Sequence, residues 1–62
     1  MFIGHVPVGA VIPGFGVVTE VMDLPYTTPE GHTVSGIQLV VVPSDGPHIL
    51  IHAESTVEVD VD

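Results

Sequence analysis

No window of about eleven residues in this chain repeats its apolar side chains at helical spacing. Seven glycines and six prolines interrupt it at short intervals, and thirteen of its 62 residues are valine. Valine, isoleucine and threonine suit a pleated, half-buried backbone and lose side-chain freedom in a helix. The pattern therefore predicts an all-β chain of short strands with little or no helix.

The strands can be placed by alternation and by turn chemistry. Phe15 to Asp23 alternates, with Phe15, Val17, Thr19 and Val21 on the inward side and Val18, Glu20 and Met22 outward. Leu24 to His32 ("LPYTTPEGH") reads as a loop, and Thr33 to Val42 as a long strand with Ser35, Ile37, Leu39 and Val41 on one face. Gly36 falls where a bend or bulge is expected. "PSDGP" (Pro43 to Pro47) is a tight connection, Asp45-Gly46 supplying the turn. His48 to Ala53 is the next strand, Glu54-Ser55 a corner of about one 3₁₀ turn, and Thr56 to Val61 the last strand, with its valines inward. A strand, a long loop, a hairpin, a corner and a final strand that pairs with the first make the layout of an SH3-like small barrel of about five short strands. Residues 1–62 form one domain, and Met1 to Gly9 is expected to be an arm, flexible or paired to an edge.

"VIPGFGVVTEV" followed by "LVVVPSDGPHILIHAE" also resembles the small β-barrel chaperones of hydrogenase maturation. Those chaperones depend on a cysteine just after the initiator methionine. Phe2 stands there in this chain, so the resemblance implies a fold and carries over no functional residue. In size, valine content and lack of lysine and asparagine the chain is similar to small orphan proteins of actinobacteria and their phages.

Eight carboxylates (Glu20, Asp23, Glu30, Asp45, Glu54, Glu58, Asp60 and Asp62) face no lysine or arginine, for a formal charge of −8. Nucleic-acid binding relies on basic side chains that neutralise phosphates, so direct binding of DNA or RNA is not expected. Anionic membrane surfaces are excluded on the same ground. A basic protein surface is the natural complement, as for an acidic inhibitor or decoy. Met1 to Thr19 carries no charged side chain, yet its prolines and glycines rule out the run of about 20 helical residues that spans a bilayer. A secretory leader would need a basic start, so a cytoplasmic protein, or a component of a virion, is expected.

Catalytic and metal chemistry find little to work with. Cysteine is absent, which removes thiolate ligands and disulfides. His48 and His52 have the spacing of a helical zinc pair, but four strand rises of about 3.3 Å separate them too far to share one ion. His52 and Glu54 share a strand face and could hold a metal with help from His5 or His32, which makes His32, His52 and Glu54 the candidate set. No resident cofactor is expected. No serine lies in a G-x-S-x-G elbow. A core this small is expected to leave little room for a ligand pocket of about 300 Å³.

The outward side is where the pattern departs from a plain soluble barrel. Val18, Met22, Val40, Val42 and Leu50 all fall there by alternation. Contiguous apolar patches above a few hundred Å² usually mark interfaces. Those five residues, with Tyr26 in the long loop as an aromatic anchor, form the expected interface with a second copy or a partner. Histidine changes charge between about pH 5 and 8, and full protonation of all four would halve the charge of −8. Weaker self-repulsion then predicts growing association as pH falls from about 8 to 5.5. Light scattering across that range checks this, and an unchanged signal contradicts it.

Overall fold

A computed structural model describes residues 1–62. Six strands and one short 3₁₀ turn, Ile3–His5, build a small all-β, barrel-like fold. The strands are β1 (Val11–Ile12), β2 (Gly16–Asp23), β3 (Tyr26–Thr27), β4 (Thr33–Val34), β5 (Gly36–Val42) and β6 (Ile49–Glu54). The main sheet is antiparallel with order β1-β2-β5-β6, and β3 pairs only with β4.

β5 is the central strand, and its inner residues are the ones that alternation assigns to one face. Ile37, Leu39 and Val41 are buried; Gln38, Val40 and Val42 on the other face are half-buried. Leu39 lies between Val21 of β2 and Ile51 of β6, and Val41 between Val18 and Ile49. Ile3, Val6, Ala10 and Ile12 complete the core from the N-terminal side, with Val59 and Val61 packed against it from the C-terminal side. Burying an aliphatic side chain fully is worth ~1.5–3 kcal/mol. No polar or charged residue is buried with them, so nothing in the core needs a polar partner.

In β2 the expected inward and outward sets exchange part-way along the strand. Val17 pairs with Val42 and Val18 with Val41, but the next partners are Glu20 and Val40. Thr19 is the extra residue of a β-bulge, its hydroxyl donating to the Val40 carbonyl at 3.4 Å. One extra residue flips the side-chain phase on either side of it. Val18 is therefore fully buried, not outward, and Val17 is exposed, not inward. Beyond the bulge, Met22 is outward, as expected, and Val21 is in register with Leu39 on the inner side but stays exposed.

The Leu24–His32 stretch is more ordered than a loop. β3, within it, pairs with β4 just beyond it in a miniature hairpin closed by Thr28 and His32, and the long Thr33–Val42 strand is broken at Ser35. Gly36 makes this possible. A Cβ there would overlap the Leu24 carbonyl oxygen and lie 2.8 Å from the Tyr26 Cβ, so only glycine lets the hairpin lie against the sheet.

The last segment closes onto the first. The Ile3 amide donates to the Val57 carbonyl at 2.7 Å and Val59 to Met1 at 2.8 Å, around a single bridge between Phe2 and Glu58. Asp62 then donates to Val11. The expected partner of the last strand is Phe15–Asp23, but β2 is flanked by β1 and β5, so the last segment pairs instead with the N-terminal arm, as a short ladder in place of a full Thr56–Val61 strand. The partner segment turns into the 3₁₀ turn at Ile3, which ends the ladder after two steps. Val57, expected inward, is exposed. The corner at Ser55–Thr56 is a simple turn, Val57 donating to Glu54.

The bulge yields a paired prediction. Val18→Asp puts an unpaired charge in the core and should abolish folding, whereas Val17→Asp should change stability by no more than about 0.5 kcal/mol. Urea denaturation followed by circular dichroism distinguishes this from the uninterrupted strand, which predicts the reverse.

Candidate functional site

The outer face of the main sheet can be read directly from the ladder. Across it run three rows: Val17 beside Val42, then Glu20, Val40 and Leu50, then Met22, Gln38 and His52. Leu50 is 65% exposed, Met22 48% and Val17 41%, while Val40 and Val42 are half-buried between them. Valine and leucine are here for sheet-forming reasons, yet the neighbours that would normally cover them are missing. One carboxylate, Glu20, interrupts the patch.

Four of the six expected interface residues, Met22, Val40, Val42 and Leu50, lie together on this face. Val18 does not, since the bulge turns it into the core. Tyr26 is half-buried at the far end of the face. Its ring meets that of His52 edge-on, with centroids 5.3 Å apart. His52 Nε2 donates to the Leu24 carbonyl at 3.1 Å; a carbonyl can only accept, so this bond places a proton on Nε2. Tyr26 and His52 thus pin the small hairpin over Gly36, and Tyr26 is a brace more than a reaching anchor. Val17 is the member of the patch that alternation assigned to the wrong side, and nothing local to the sequence marks Thr19 as the extra residue.

At one end of the sheet the β1–β2 turn and the β5–β6 connection bound an open groove of ≈ 610 Å³. Phe15, Val11, Val17 and Val42 line it, with Asp45 at its rim. The space lies outside the core, between two turns. Gly16, at φ +143, sets its floor: a Cβ there would stand 2.7 Å from the Pro43 Cα. The sequence signal was "PGFG" facing "PSDG", two tight turns whose proximity depends on the β2–β5 register.

The chemistry-bearing side chains do not converge. No three histidine, aspartate or glutamate side chains come together, so His32, His52 and Glu54 do not assemble into a metal site. His32 sits on the β3–β4 turn, where its amide donates to Thr28 Oγ1. Glu54 is at the end of β6, opposite Gly36. The other seven carboxylates are exposed, and the N-terminal ammonium donates to the Val59 carbonyl. No helix is long and apolar enough to cross a membrane. Comparison with family models, with curated proteins and with solved structures finds no match to this chain.

Proposed function

We propose that this protein works by protein–protein contact, without catalysis, and that it associates with copies of itself through the outer face of the main sheet. The supporting observation is the row of Val17, Val42, Val40, Leu50 and Met22, five apolar side chains on one face of three neighbouring strands. Water around such a face is released when a second apolar surface covers it, at ~25 cal/mol per Å². Only one carboxylate lies among them, so two such faces meet with less repulsion than the charge of −8 on the whole chain would suggest.

Capture of a basic surface on another protein is the alternative, favoured by a different observation. Seven exposed carboxylates have no basic side chain in the chain to neutralise them. A field of one sign speeds encounter with an oppositely charged partner and makes it sensitive to salt.

Sedimentation at tens of micromolar distinguishes the two. Self-association predicts a mass above the 6.5 kDa of one chain, reduced to that of a monomer by Val17→Lys combined with Met22→Lys. Lysine lowers the net negative charge, so dissociation could not be ascribed to added repulsion. Both positions are exposed, and folding should persist. A strict monomer that binds a basic protein at low salt and releases it at high salt would support the alternative and contradict self-association.

A further inference from the structure

The two edges of the main sheet are finished differently. β1 is two residues long, is followed by Pro13, and receives the Asp62 amide on its outer side. Short length, a proline and a covering segment are the usual protections of a sheet edge. β6 has neither the short length nor the proline, and although the 3₁₀ turn and β3 approach it, neither bonds its outer backbone groups at Leu50 or His52. Its six residues, Ile-Leu-Ile-His-Ala-Glu, contain no proline, glycine or lysine, and its register with β5 runs without a bulge from Ile49 to Glu54.

The hydrogen-bond phase of β6 fixes which of its backbone groups are free. Ser55 donates to the Ser35 carbonyl at 3.0 Å, continuing the β5–β6 register one step past the Gly36–Glu54 pair. Antiparallel pairs alternate between bonded and non-bonded. Ala53, Ile51 and Ile49 are therefore bonded to β5, and the N–H and C=O groups of Leu50, His52 and Glu54 point away from it. β5 agrees from its other side: Leu24 donates to the Gly36 carbonyl at 3.1 Å, so the even-numbered residues of β5 serve β2. Of the outward groups on β6, the Glu54 carbonyl accepts from Val57. No backbone bond outside the ladder reaches Leu50 or His52.

The side chains along this edge are equally unfinished. Leu50 is the most exposed large apolar residue of the chain, and Ile49 and Ile51 on the inner row are only half-buried. A strand laid beside β6 would complete the ladder, cover Leu50 and deepen the burial of both isoleucines.

We infer that this strand is β6 of a second copy, paired antiparallel across a two-fold axis. An identical edge offers free groups at the same alternate positions, so outward-bonding residues meet outward-bonding residues, as a self-complementary interface requires. Charge points to the same occupant. Glu54 is the only carboxylate on β6, while two of the four histidines, His48 and His52, lie beside or within it. Two chains of charge −8 therefore meet along this edge with less repulsion than across their carboxylate-bearing surfaces. The axis stands perpendicular to the sheet, which keeps both outer faces on one side and joins the two patches across the paired β6 strands. This pairing rests on the self-association proposed above and adds an edge contact to it, leaving the joined outer faces to meet those of another pair.

Amide hydrogen exchange by NMR on the full chain, at a dilute and a concentrated condition bracketing assembly, tests it. The expected result is a rise of about tenfold or more in protection at Leu50 and His52 on assembly. Ile49, Ile51 and Ala53 should be protected in both conditions. Leu50→Pro removes an outward donor without removing a bond to β5, and should weaken association at least about tenfold. If that variant does not fold, the exchange pattern of the unaltered chain decides alone. Association with unchanged exchange at Leu50 and His52 would overturn the edge pairing and leave self-association through the outer face standing. A monomer at both concentrations would overturn the pairing and self-association together.

Discussion

Burial of the inner face of β5 is the interaction on which the rest depends. Leu39 and Val41 are fully buried there, and each is flanked by a side chain from β2 and another from β6. A chain with no lysine or arginine has no ordinary route to intramolecular ion pairs, and one with no cysteine has no disulfide. A domain of this size normally calls on such staples. Here their place is taken by closure: the N-terminal segment delivers Ile3 and Val6 to the core, and the C-terminal segment holds it there through the Ile3–Val57 and Met1–Val59 backbone bonds.

What the sequence revealed followed from how local its causes were. β5 is legible because it is a seven-residue β-forming run bounded by Gly36 and Pro43, with Ile37, Leu39 and Val41 on one parity. The outer positions of Met22, Val40, Val42 and Leu50 follow from the same parity. Val18 was misplaced because a bulge adds a residue with no glycine or proline to announce it; the bulge is settled by pairing with β5, which is a non-local choice. The β3–β4 hairpin was missed because each strand is two residues long, below the length at which alternation can be recognised. Ile3 and Val6 were unreadable as core for a related reason: their burial depends on a segment more than fifty residues away. The groove beside Phe15 exists only once two turns have been brought together by the β2–β5 register.

The same economy accounts for the surface. β-branched residues that make strands without help from charge pairing cannot all face inward in a barrel this narrow. Some remain on the outer face of β2 and β5, where Val17, Val40 and Val42, joined by Leu50 of β6, form an apolar patch beside Glu20. In the proposed self-association, apolar attraction at one face and repulsion elsewhere would favour one orientation of the copies. His52 joins the two parts, since it lies at the edge of the patch while its ring holds the hairpin through Leu24 and Tyr26.

The central claim is that apolar packing holds this fold against the chain's own charge. Its most direct test is the melting temperature as a function of sodium chloride, at a protein concentration where the mass does not change. Screening should weaken carboxylate repulsion and remove no attraction, so the melting temperature should climb by about 4 °C or more between about 0.02 and 0.5 M salt. A melting temperature that falls with salt would mean that attractive charge pairs hold the fold, and would contradict the account.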